Sequence, residues 1–220
     1  VRFSSSARHN GLRSFALGAL LAASLTALPQ AATSALAGEP QVQQTPDNTA
    51  IINQAERFLD RLTTLHAHFA QTVGDNGYTT GELWLSRPGK LRLNYDPPLR
   101  HQLVADGTFL YFWDDEIKNV TQTLLKGSMV DLIVRQNPSL TDGVTVTRVR
   151  YDDNTAAITL KSDSDPDQGE LTLYFNRVPS GLLGWQVIDA QGARTEVRLS
   201  QVEAGQPIDR DLFYFYRPDK

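Results

Sequence analysis

From Gly77 nearly to its end the chain is written in short runs of alternating apolar and polar residues, each closed by a turn signal. The runs cover residues 78–87, 90–95, 101–105, 109–113, 120–124, 144–151, 156–161, 170–176, 184–189, 194–202 and 212–216. Asp106-Gly107, Asp152-Asp153-Asn154, the 163–169 stretch, Gln191-Gly192 and Gly205 separate them. A period of two gives a strand one apolar face. About eleven such strands on tight turns predict a meandering antiparallel sheet. The stretch "ELWLSRPGKLRLNY" shows the pattern: Leu83, Leu85, Leu91, Leu93 and Tyr95 alternate around the turn Arg87-Pro88-Gly89, and Trp84 adds an apolar ring on the other side.

Two segments depart from the strand rhythm. In residues 51–71, Ile51, Ala55, Phe58, Leu62, Leu65 and Phe69 recur at alternating spacings of four and three, which predicts one amphipathic helix with Asp47 or Asn48 as its cap. In residues 124–140, Met129, Leu132 and Ile133 stand at helical spacing before Asn137-Pro138, which predicts a short helix inserted in the sheet. So few helices cannot cover eleven strands as a two-layer core. The expected fold is therefore mainly β: an unclosed antiparallel barrel with the helices over its mouth. Trp84, Leu91, Leu93, Tyr111, Trp113, Phe175, Trp185, Phe213 and Phe215 are the bulky candidates for its interior, with Met129, Leu132 and Ile133 under the lid.

The first 37 residues read as a targeting segment outside the fold. Arg2, Arg8 and Arg13 precede an apolar run over 15–28, shorter than the roughly 20 residues of a membrane span, and "SALA" offers small residues for cleavage after Ala37. Residues 38–48 read as a flexible tail and 49–220 as one domain. The sequence has no cysteine, hence no lipidation site, disulfide or thiolate metal site in it. Without three N-terminal arginines the chain is more acidic than its formal net charge of −4, which argues against nucleic acid as a partner. The expected location is the periplasm.

No catalytic signature is present: G-x-S-x-G, S-x-x-K, phosphate-binding glycine loops and H-E-x-x-H are all missing. His66 and His68, two apart on the expected helix, point in different directions; His101 stands alone on a strand. "DSDPDQGE" (163–170) lacks the spacing of a calcium loop and reads as a hairpin turn, as does Asp114-Asp115-Glu116. The expectation is a protein without enzymatic activity, cofactor or metal.

The run "FAQTV…GELWLSRPGKLRLNYDPP…LVADGTFLYFWDDEIKNV", with "WQVIDAQGARTEVRL" and "IDRDLFYFYRP" further on, resembles the LolA-type carriers of outer-membrane lipoproteins over residues 49–218. The resemblance implies a half-barrel with a helical lid over a hydrophobic cavity. It implies a monomeric carrier of triacylated lipoproteins, loaded by an ATP-driven inner-membrane transporter and unloaded to an outer-membrane acceptor lipoprotein. It also implies a role for Arg87. From the residues alone Arg87 reads as a solvated turn residue or as a donor to the carbonyls ending the 129–137 helix; in the family the arginine of this Arg-Pro turn is associated with lid closure. Leu91 and Leu93 depart from relatives that carry aromatic residues there. A carrier of another amphiphile, such as a glycolipid or fatty acid, is the alternative on the same fold.

Overall fold

The computed structural model describes residues 46–74 and 77–218; the expected targeting segment lies outside them. Helix α1 (Pro46–Arg61) begins with proline and an acidic first turn, so it starts inside the stretch expected as a flexible tail. Strands β1 (Thr64–Val73), β2 (Gly77–Ser86), β3 (Lys90–Tyr95), β4 (Gln102–Asp106), β5 (Phe109–Asp114) and β6 (Asn119–Leu124) follow. Helix α2 (Met129–Val134) comes next, then β7 (Val144–Tyr151), β8 (Thr155–Ser162), β9 (Gly169–Arg177), β10 (Ser180–Asp189) and β11 (Arg194–Ala204).

The eleven strands form one antiparallel sheet in the order β6-β5-β4-β3-β2-β1-β11-β10-β9-β8-β7. Every neighbour is a sequence neighbour except β1 and β11, whose pairing joins the two halves. The sheet is left unclosed between β6 and β7, and the segment that bridges this gap carries α2. The inner face is one continuous apolar core that includes Leu83, Leu85, Leu91, Leu93, Leu171, Leu173, Trp185 and Val197. Helix α1 buries Ile51, Ile52, Ala55 and Leu59 in it.

The long helix expected over 51–71 is corrected: it ends at Arg61, and the second half is β1. Leu65, Ala67 and Phe69 are the buried residues there, a period of two. Leu65 and Phe69 are four apart and satisfy either period; Ala67 between them decides it. The strand count of eleven was reached with a different set. The expected strand over 212–216 is instead a single 3-10 turn, Arg210–Phe213, and an extended segment, while β1 supplies the missing strand.

The rings of Phe69 and Tyr95 meet edge to face, centroids 5.1 Å apart, across Gly81 of the intervening strand. A Cβ at Gly81 would fall on the Asn94 carbonyl oxygen and 2.7 Å from the Phe69 ring. Backbone on one side and a buried ring on the other leave nowhere to shift. Gly81→Ala is therefore expected to destabilise the protein by about 2 kcal/mol or more, read as a lowered midpoint in chemical denaturation.

Candidate functional site

Between the inner faces of β3–β5 and β10–β11, beneath α2, lies a cavity of about 170 Å³. Leu91, Leu93, Leu103 and Leu110 form one wall, Trp185, Val187 and Val197 the other, and Met129, Val130 and Ile133 the roof. The register explains the grouping. Leu91 faces Ala105 and Leu93 faces Leu103 across β3–β4, while Trp185 pairs with Val197, so alternation delivers all of them to one face. Gln71, Ser128, Gln168, Asp189 and Thr195 supply its few polar positions.

Five of the residues expected at the cavity line it: Leu91, Leu93, Met129, Ile133 and Trp185. Two others lie elsewhere on the inner side. Phe175 is buried under α1 against Phe58, centroids 6.1 Å apart. Leu132 lines an adjoining chamber together with Lys126 and Arg135.

The remaining five, Phe215 among them, are corrected to the opposite face of the sheet. Trp84 alternates with the buried Leu83 and Leu85, so its ring is turned outward, where it stacks on His66 at 5.2 Å. Tyr111 alternates with Leu110 and stacks on Phe215 at 5.0 Å. Trp113 is buried beneath the C-terminal segment that crosses the outer face of β3–β5, and Phe213 is buried from that segment against the same face. The anchor of that segment is Arg92, which donates to the Leu212 carbonyl at 3.1 Å, to Gln102 Oε1 at 3.0 Å and to Asn94 Oδ1 at 2.7 Å. Except for Trp84, these aromatic residues found their surroundings where a terminal strap meets the outer face, which no local pattern announces.

Arg87, which opens the β2–β3 turn, faces both helices. Its Nε and Nη2 donate to the Ile133 carbonyl of α2 at 3.1 and 2.6 Å. Its Nη1 donates to the carbonyls of Leu59 and Leu62 at the end of α1, the latter at 3.3 Å. The same turn donates once more through the backbone: Gly89 N reaches the Val134 carbonyl at 2.7 Å. Gly89 holds φ +79° with the backbone of Gly107 close beside it, a position that suits glycine alone. Helix C-terminal carbonyls lack partners and carry partial negative charge, so one guanidinium here satisfies the ends of two helices. Burial lowers the Arg87 pKa to about 10, opposed by nearby Asp60, and the group is still charged at neutral pH. A second tie joins the lid segment to α1, because Glu56 Oε1 accepts from Leu140 N at 2.8 Å.

The histidines are placed differently from expectation. On strand β1, His66 and His68 share the outer face, and Glu82 Oε1 lies 3.9 and 4.0 Å from their Nε2 atoms. His101 is buried, not isolated, between the rings of Tyr95 and Phe112. It lies beside Asp114 and Glu116, the group of described residues with metal-ligand proximity. Two of the three residues serve a turn: His101 Nδ1 accepts from Asp115 N at 2.9 Å, and Asp114 Oδ1 accepts from Glu116 N and Ile117 N. The 163–170 stretch is likewise a turn, containing the single 3-10 turn Pro166–Gln168. Among the described residues no helix is long and apolar enough to cross a membrane.

Residues 60–216 match the family described as "Outer membrane lipoprotein carrier protein LolA". An outer-membrane lipoprotein carrier protein of Chromohalobacter salexigens is 29% identical over 171 residues, covering 73% of this chain and 80% of that protein. One from Pseudomonas putida is 28% identical over 219 residues, covering 92% and 95%. A solved LolA superfamily protein of Nitrosomonas europaea aligns with a TM-score of 0.43 at 11% identity, covering 76% of this chain and 97% of that one. With most of its length, including the whole sheet and the Arg87 turn, inside the match, this chain belongs to the LolA family of outer-membrane lipoprotein carrier proteins, a carrier family and not an enzyme family.

Proposed function

We propose that the protein is a periplasmic carrier that hides the acyl chains of triacylated lipoproteins in the cavity beneath α2. On this reading it takes them from an ATP-driven inner-membrane transporter and gives them to an acceptor lipoprotein at the outer membrane, working as a monomer. The observation that carries the reading is an apolar cavity roofed by a short helix whose end is tied down by one buried arginine. Acyl chains are costly to leave in water, each methylene contributing about 0.8 kcal/mol on burial. The carrier has no ATP to drive release, so it must bind the chains without tight complementarity. Leu, Met and Val on a loosely filled wall meet that condition better than a close-packed pocket does.

The cavity is smaller than the roughly 300–1,000 Å³ typical of ligand pockets. On this reading, loading requires α2 to swing out of the gap between β6 and β7, which enlarges the cavity. Arg87 is the latch. Its hydrogen bonds, each contributing about 1.5–3 kcal/mol as bonds to a charged group, favour closure and so favour release. Closure also keeps the apolar lining from being an exposed patch when empty.

The test is displacement of an apolar fluorescent dye from the purified protein. Acylated lipoprotein is expected to displace it, and the same protein without acyl chains is not; equal displacement by both removes the reading. The orientation of the rings gives an internal control. Trp185→Ala is expected to lower dye affinity about tenfold, whereas Trp84→Ala on the outer face leaves it within about twofold.

A further inference from the structure

Three of the polar positions of the cavity lie together. Gln71 and Thr195 share the inner face of the paired strands β1 and β11, and Asp189 opens the turn that follows β10. Together these half-buried groups form the cavity's polar rim, while Leu91, Leu93 and Ile133 are buried. Two of the polar groups are spoken for. Asp189 Oδ1 accepts from Gln191 N at 2.9 Å and from Ala193 N at 2.8 Å, closing its own turn. Ser128 Oγ caps α2 by accepting from Asp131 N at 3.2 Å.

Gln71 is different. Tyr95 reaches over Gly81 and donates its hydroxyl to Gln71 Oε1 at 2.8 Å. Tyr95 is fixed by the Phe69 and His101 rings, and burial raises its phenol to about 12, so the hydroxyl keeps its proton. With Oε1 held, the orientation of the amide is set. Its Nε2 has no partner among the described residues, although the side chain borders the cavity. An oriented N–H donor at the polar rim of an otherwise apolar cavity is placed to meet a ligand's acceptor.

We propose that Gln71 is a specificity-determining residue whose amide donates to the carbonyl oxygen of the ester or amide linkage of a bound acyl chain, the tail running inward past Leu91, Leu93 and Ile133. This rests on the carrier reading and adds the chemistry at the chain's polar end. The Asp189 carboxylate at the same rim favours an uncharged linkage over a fatty-acid carboxylate, because two like charges close together repel. Tyr95 acts through Gln71 as a positioning residue.

A matched pair of ligands tests it: a monoacylglycerol and its ether analogue of equal chain length, which differ in the carbonyl, each titrated against dye-loaded protein. The wild type is expected to prefer the ester about fivefold to tenfold, the worth of one hydrogen bond. Gln71→Leu is expected to bring the ester down to the affinity of the ether and leave the ether within about twofold. Tyr95→Phe keeps the ring and frees the amide, so it is expected to shrink the preference with the ether again unmoved. Equal binding of the two ligands by the wild type, or a Gln71→Leu variant that weakens both alike, overturns the subsite while leaving the carrier reading standing. Should Gln71→Leu fail to fold, an undiminished preference in folded Tyr95→Phe overturns it. Displacement by neither ligand removes the carrier reading, and the subsite with it.

Discussion

Arg87→Leu is expected to take up acylated cargo readily and then fail to give it away. The substitution removes the donors that hold Ile133 of α2 and Leu59 and Leu62 of α1, while the turn's backbone bond from Gly89 to Val134 remains. The closed state loses about 3 kcal/mol, because two or three charge-assisted bonds disappear and helix-end carbonyls are left unpaired. The open, loaded state makes few of those bonds and is little affected. A ligand's apparent affinity is set by the fraction of protein in the competent state. Affinity for cargo should therefore rise up to about a hundredfold, with transfer to an acceptor falling correspondingly. Separate measurements of uptake from donor membranes and of transfer to acceptor check this. Uptake and transfer both unchanged would return Arg87 to the role of a structural turn residue.

Leu91→Glu acts on the opposite side of the balance. Leu91 is 1% exposed, pairs with Leu85 and Ala105 across the sheet and lines the cavity. A carboxylate there is either desolvated or neutralised by taking up a proton. The empty cavity beside it lets water approach, so the loss of stability is expected at about 3 kcal/mol and not the full cost of a buried charge. Binding suffers more, since an acyl chain would displace that water. Dye and acylated ligand are expected to bind at least about a hundredfold more weakly, with circular dichroism still showing the β spectrum. Dye binding at the wild-type level in the folded variant would place the ligand elsewhere.

The sheet was legible because its signal is repeated: each strand carries its own alternation and each turn its own Asp, Asn, Gly or Pro. The inserted helix was legible for the same reason, as Met129, Leu132 and Ile133 break the period of two. The 62–71 stretch was not, because Leu65 and Phe69 fit both periods and Ala67 adds too little bulk to tip the balance. The side of the sheet on which each aromatic lies was only half legible. Alternation places Trp84 opposite Leu83 and Tyr111 opposite Leu110, but it cannot say that a second apolar layer exists on the outer face. That layer is built by the strap at 208–217 held by Arg92, a contact more than a hundred residues away in sequence. Arg87 illustrates the same limit from the other side. Its turn is plain in the sequence, whereas its bonds to both helices depend on a tertiary meeting of α1, α2 and the β2–β3 turn.

The most direct measurement places a photo-crosslinking residue at Val130 in the cavity roof and, separately, at Trp84 on the outer face, then exposes each to acylated lipoprotein. Val130 is expected to cross-link to the acyl chains and to lose the product when the lipoprotein lacks them, while Trp84 gives none. Cross-linking of equal yield at the two positions, or from Val130 to lipoprotein without acyl chains, would contradict a cavity that carries lipid.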